Sequence, residues 1–217
     1  MSAATAVMRS EGLERVTLRR LAYELDTGPA SLYVYFRNVA ALHAAIFEEI
    51  LGSVVLPARD QPTGWATCVT EALWSYSRLL VEHPSLARSA LISRPSGANY
   101  LGLVDYLLGA LEDGGVPPGQ RAWGVDVLLL FATALAVEHA ERRRSSEVPR
   151  DHLELVVKIR DIAPALHPSI AAIGVELLMS GSTRARYEWG VRVLLAGIAA
   201  VPIPDDLRPA DAEGEDL

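Results

Sequence analysis

The sequence predicts an all-α protein in two parts: an N-terminal three-helix unit with a helix-turn-helix, joined by a connecting helix to a larger helical domain. Three observations predict this. Apolar residues recur three and four apart along most of the chain, while period-two alternation between turn residues is almost absent. Each helical stretch is closed by Pro or Gly, as at Pro84, at Pro95 and Gly97, and from Gly114 to Pro117. The 217 residues suffice for a helical core without staples, and the single cysteine, Cys68, leaves no intramolecular disulfide.

The elements follow in order. Gly12 ends a first helix, and Thr17 N-caps a second. Asp26, Thr27 and Gly28 form a turn into Pro29, a favoured first residue of a third helix. Leu18, Leu21, Ala22 and Leu25 recur at the spacing of one helical face, and small Ala22 lets the next helix cross closely. Leu32 and Phe36, four apart, close the same core. Pro29, Ala30, Ser31, Tyr33, Val34 and Tyr35 are then left on the outside of a helix too short to be justified by packing, which marks a binding surface. A fourth helix runs from about Val39 to Leu51, capped by Asn38 and packing Leu42, Ile46 and Ile50. It ends before Pro57, and residues 59–64 read as a linker.

Longer helices are expected at Trp65–Glu82, Pro84–Ile92, Gly97–Asp113 and Pro118–Arg143, with pieces near His152–Ile162 and Pro168–Met179 and a last helix at Thr183–Val201. The domains are thus residues 1–50 and 51–201, and the acidic, Pro-containing tail 202–217 is expected to be disordered.

A net charge of -7 argues against a protein that coats nucleic acid indiscriminately, because phosphate attraction supplies most nonspecific affinity. Within residues 1–50, Arg9, Arg15, Arg19, Arg20 and Arg37 stand against Glu11, Glu14, Glu24, Asp26, Glu48 and Glu49, so DNA affinity has to come from placement. The apolar run Val125–Val137 contains Asp126 and stops at Glu138, too short for a bilayer core of about 30 Å, so no membrane partner is expected. No signal-peptide pattern opens the sequence, and the expected location is the cytoplasm. His43, His83, His139, His152 and His167 show no catalytic or zinc spacing, and no phosphate loop is present. No catalytic residue, metal site or cofactor is therefore expected, and the chain is not read as an enzyme.

The stretch Thr17, Leu18, Arg19, Arg20, Leu21, Ala22, continued by Ser31, Leu32, Tyr33, Val34, Tyr35 and Phe36, closely resembles the TetR family of transcriptional regulators. The resemblance implies that the third helix enters the major groove of an operator, with Pro29 and Ala30 close to the DNA. Ser31 and Tyr33 would reach bases or backbone, Tyr35 a phosphate, and Arg19 a base or phosphate. Two family residues are replaced: the turn glycine by Asp26, which tolerates the left-handed conformation, and the fourth-helix lysine by Val39. Arg37 is the candidate to replace that lysine's phosphate contact. The Arg/Lys-rich arm of many relatives has no counterpart in the first residues.

The remainder resembles the tetracycline-repressor subgroup, which implies a homodimer that senses a small molecule. Carried over by position, the effector pocket would be lined by Ala72, Tyr76, Ala90, Ser93, Arg94, Pro95, Asn99, Leu103, Tyr106 and Glu138. In that subgroup a histidine at the Ala90 position helps to hold a drug-borne metal. Alanine cannot coordinate, so the expected effector is an apolar or aromatic molecule held by a few hydrogen bonds, with Trp74 and Tyr100 nearby. The 118–143 helix, with Val125, Leu128, Leu129, Ala132, Leu135 and Ala136, is expected to form the subunit interface. Its partner is the 183–201 helix, with Trp189, Val193, Leu194, Gly197 and Ile198, and small Ala136, Gly190 and Gly197 would allow close approach. A helical dimeric regulator controlled by a protein partner in place of an effector is the first alternative, and an enzyme the second.

Overall fold

The computed structural model describes residues 2–60, 64–92, 95–144 and 148–204, and among these the regular structure is helical throughout. Of the tail 202–217, all but the first three residues lies outside the described residues, as do Ser93 and Arg94.

Three short helices form the head: α1 (Ser2–Glu11), α2 (Leu18–Glu24) and α3 (Pro29–Tyr33). Gly12 stops α1 at φ 90°, where a Cβ is disfavoured, and a 3-10 turn, Leu13–Arg15, follows. Thr17 Oγ1 accepts the Arg20 amide at 3.1 Å, satisfying one donor that the helix start leaves free. Asp26 takes a positive φ of 48°, and the Thr27 amide donates back to the Ala22 carbonyl at 2.9 Å, so aspartate makes the turn usually given to glycine. Leu18, Leu21, Ala22 and Leu32 are buried with Val7, Met8, Leu13 and Val16. Leu25, expected on the same face, is instead 48% exposed. Leu25 is the C-cap of α2, its amide still bonded to the Leu21 carbonyl at 3.0 Å, so it keeps the helical register but stands at the uncovered end of the helix.

Helix α4 (Val39–Leu51) leaves the head, its N-terminus capped by Asn38 Oδ1, which accepts the Ala41 amide at 2.8 Å. His43 Nε2 donates to the Val16 carbonyl at 2.8 Å, tying the first half of α4 to the head. The second half buries Ile46, Phe47, Ile50 and Leu51 and packs on α5 (Trp65–Glu82) and α7 (Ala98–Asp113). The strand of coil between α4 and α5 is pinned to the body: the Val55 amide donates to Ser75 Oγ at 2.8 Å, and the Pro57 carbonyl accepts Tyr106 Oη at 2.7 Å.

In the body, α5 lies at the centre, surrounded by α6 (Pro84–Ile92), α7, α8 (Pro118–Arg144) and α11 (Thr183–Ala200). Helices α8 and α11 run antiparallel, because Gly124 meets Ile198 and Gly190 meets Phe131, each so closely that a Cβ on the glycine would collide. Helices α9 (Val148–Arg160) and α10 (Pro168–Leu178) pack on each other, and Gly174, at φ 75°, breaks the helical path of α10. By length and composition α8 suits a membrane crossing, but it packs against α5, α6, α7 and α11 as a core helix does.

The interface residues expected on α8 need correcting. Val125, Leu128, Leu129, Ala132 and Ala136 lie in the chain's own core, with Leu135 packed against it, because α8 has neighbours on several sides. Leu194 and Ile198 of α11 likewise face inward, and Gly190 serves the α8–α11 contact within one chain. What remains open is a stripe of Trp123, Val127 and Leu130 on α8, beside Trp189 and Val193 on α11.

Candidate nucleic-acid interface and effector cavity

The end of the head carries an uncovered surface. Leu32 anchors α3 in the core, and this orients its neighbours outward: Tyr33 is 58% exposed, Val34 81% and Tyr35 78%. Pro29, Ala30, Ser31 and Arg37 are exposed on the same short segment, and Arg19 is exposed on α2. Tyr23, four residues on from Arg19, is 83% exposed and was not singled out from the sequence; its position off the Leu18, Leu21, Ala22 stripe is the signal that marks it. Large apolar and aromatic side chains left uncovered together mark an interaction surface.

The two neighbouring arginines of α2 divide their roles. Arg20 donates to Glu11 Oε1 from Nη2 at 2.6 Å and from Nε at 3.1 Å, to Glu11 Oε2 from Nε at 3.3 Å, and to Glu24 from Nη1 at 2.8 Å. These contacts raise the Arg20 pKa, with the Glu11 hydrogen bond the largest cause, and hold the Glu11 carboxyl below its ordinary value. Arg20 thus braces α1 against α2, leaving Arg19 as the cation of this helix that faces outward.

In the body, a cavity of about 120 Å³ lies between α5, α6, α7 and α8, lined by Tyr76, Ala90, Pro95, Tyr100, Asp126, Leu129, Leu130 and Thr133. Tyr76 Oη and Thr133 Oγ1 are 2.9 Å apart, and Thr133 also donates to the Leu129 carbonyl at 2.7 Å. Burial pushes the Tyr76 phenol up to about 12, so it stays protonated and able to donate well into the alkaline range. A larger, open groove of about 910 Å³ runs between head and body, from Arg9 and Glu49 to Trp74 and His83. Its walls carry charges of both signs, and it has no aromatic enclosure like that around Tyr76 and Tyr100.

Of the pocket residues expected from the sequence, the structure brings Tyr76, Ala90 and Pro95 together. Ala72 and Leu103 are core residues at the limit of burial. Tyr106 points away, towards Pro57, into a groove of about 660 Å³ shared with Leu56 and Arg59. Glu138 is exposed and paired with Arg142 at 2.6 Å, one turn along α8. Asn99 faces α4, where its Nδ2 donates to the Glu48 carbonyl at 2.8 Å. The cavity's α8 wall was missed: Asp126 and Thr133, polar and seven apart in an otherwise apolar run, are the pattern that marks it.

The comparisons agree with this architecture. Residues 1–46 match the family model described as bacterial regulatory proteins, tetR family, and residues 56–201 match the tetracyclin repressor-like C-terminal domain. A solved transcription regulator from Streptomyces coelicolor is 48% identical, with 94% of each chain covered and a TM-score of 0.73. The TetR family protein ActR of Streptomyces coelicolor, solved in complex with actinorhodin, is 29% identical over 91% of this chain and 92% of its own, with a TM-score of 0.80. An HTH-type transcriptional regulator of Saccharopolyspora erythraea is 25% identical over 202 residues, 92% of this chain and 83% of its own length. The matched segments cover the head and the body in turn, and the chain belongs to the TetR family of DNA-binding transcriptional regulators.

Proposed function

We propose that the chain acts in the cytoplasm as a homodimer that represses from a palindromic operator and is released by a small apolar or aromatic effector. The uncovered segment at the end of α3 carries the reading, since none of the described residues covers Tyr33, Val34 and Tyr35, which are left in water side by side. On DNA, Arg19, Ser31 and Tyr33 reach base edges, Tyr35 and Arg37 hold phosphates, and Pro29 and Ala30 let α3 approach the groove. Twofold symmetry comes from the stripe of Trp123, Val127, Leu130, Trp189 and Val193, which in pairs of α8 and α11 makes a four-helix contact.

The effector site is the cavity beside Tyr76, whose hydroxyl pair with Thr133 offers the few polar contacts such sites use. Ala90 on its wall leaves a metal-borne tetracycline without the ligand it would need. At about 120 Å³ the cavity is smaller than the roughly 300–1,000 Å³ of drug-sized sites, so binding has to widen it. A ligand that prefers the opened conformer weakens operator binding by the same factor by which DNA weakens the ligand.

Selection of duplexes from a random library tests the operator reading; an outcome with no enriched palindrome at low salt sinks it. Thermal shift with actinorhodin, the compound bound to the relative, tests the cavity. Stabilisation is expected in the wild type and not in Tyr76→Ala, and stabilisation that survives this change places the ligand elsewhere.

A further inference from the structure

Helix α7 begins at Gly97 and Ala98 without a side-chain cap of its own. The cap comes from another helix. The Glu48 carboxylate, on α4, accepts the Asn99 amide through one oxygen and lies 3.4 Å from the Tyr100 amide through the other. In return, Asn99 Nδ2 donates to the Glu48 backbone carbonyl at 2.8 Å. A carboxylate at a helix N-terminus satisfies free donors and meets the positive end of the helix dipole. The contact is closely fitted: a Cβ at Gly97 would land on the Glu48 carboxyl group, and one at Gly52 would come within 3.1 Å of Asn99 Nδ2.

This latch joins two places that regulation has to connect. Tyr100, the second amide under Glu48, lines the cavity with Pro95. Helix α4 is fixed to the head at its other half by His43 and Val16. We propose that Glu48 is the positioning residue that couples the cavity to the DNA-reading helices: displacement of Tyr100 on the cavity wall moves the α7 N-terminus, and the capping carboxylate carries α4 and the head with it. The inference rests on the reading of the chain as a ligand-responsive operator binder, and it names the contact through which that response passes.

Reciprocity allows a test that needs no identified effector, because DNA at the head must then alter the α7 N-terminus. Hydrogen exchange of peptides spanning residues 97–103 is followed in the full-length protein, with and without a duplex carrying the palindrome selected above. In the wild type the duplex is expected to change the exchange rate by about fivefold or more, the lower bound of ordinary allosteric coupling. In Glu48→Ala, and in Gly97→Ala, which displaces the carboxylate while keeping it, the change is expected to fall below about twofold although both variants still bind the duplex. Glu48→Gln, which keeps one acceptor, is expected to respond in between, which a purely structural role would not produce. Should Glu48→Ala prove too unstable to purify, Asn99→Ala, which removes only the amide-to-carbonyl bond, carries the same readout. A wild-type-sized response in Glu48→Ala, or no response in a wild type that binds the duplex tightly, overturns this inference alone. A wild type that enriches no duplex overturns the operator reading, and this inference with it.

Discussion

In the head the side chains of the candidate DNA-reading segment point outward, whereas in the body those of the candidate effector cavity point inward. The head buries a small core and leaves Tyr33, Val34 and Tyr35 in water, with Arg20 neutralised between Glu11 and Glu24. The body buries its polar groups and bonds each one: Tyr76 to Thr133, and Ser77 to the Ala132 carbonyl and Tyr187. A surface that reads DNA needs only one anchored helix to aim it, and Leu32 supplies the anchor. A site inside a packed body depends on four helices at once, so small shifts there cost packing and can be transmitted.

Breaking each region should therefore leave different signatures. The largest expected effect is Leu73→Ala, which empties a fully buried position at the centre of the body. It should cost about 2–5 kcal/mol in urea unfolding, and a loss below about 1 kcal/mol means that the core collapses around the gap. Next, Tyr33→Ala should weaken operator binding by about 1–3 kcal/mol with the melting temperature and the dimer unchanged. A fall in stability of that size would place Tyr33 in the head's core instead.

A smaller effect is expected from Tyr76→Phe, which removes one buried hydroxyl while Thr133 keeps its bond to Leu129. About 0.5–1.5 kcal/mol of stability should be lost, with operator affinity unaltered in the absence of ligand. The sign of its pH dependence is set by the raised pKa. The folded state favours the protonated phenol, so its contribution is complete below the ordinary value of 10.0 and is lost as the pH rises through about 12. Alkaline unfolding of the wild type should lose this increment, and the Phe variant should not. The smallest effect is Asp26→Gly, which relieves a positive φ and should change stability by no more than about 1 kcal/mol, whereas Asp26→Val should destabilise by about 1–2 kcal/mol. Equal melting temperatures for the two variants would show that the turn carries no strain.

The head was legible because its signals are local. Thr17, Gly28 and Asn38 stand where the helix starts require them, and the buried spacing of Leu18, Leu21 and Leu32 follows from helix geometry. Leu25 was misplaced because it keeps the helical register at the last turn of α2, where burial depends on a neighbouring element that the spacing does not reveal. In the body, most helix limits were legible from Pro and Gly, but α9, expected near His152–Ile162, runs over Val148–Arg160, and which face of α8 looks inward was not legible. Its residues are apolar nearly all round, so periodicity offers no preferred side, and only the neighbours α5, α6, α7 and α11 decide it.

By itself the sequence determined the helical class, the helix limits of the head, the turn at Asp26 and the outward-facing residues after Pro29, since each depends on residues within one or two turns of one another. The tertiary structure alone decided that Asn99 faces Glu48 and not the cavity, and that Asp126 and Thr133 line the cavity beside Tyr76. The same holds for Glu48 as the cap of a helix about fifty residues further on. The physical reason is that a cap, a cavity wall or an interface stripe is defined by what stands opposite it, and in a helical bundle that partner is distant in sequence.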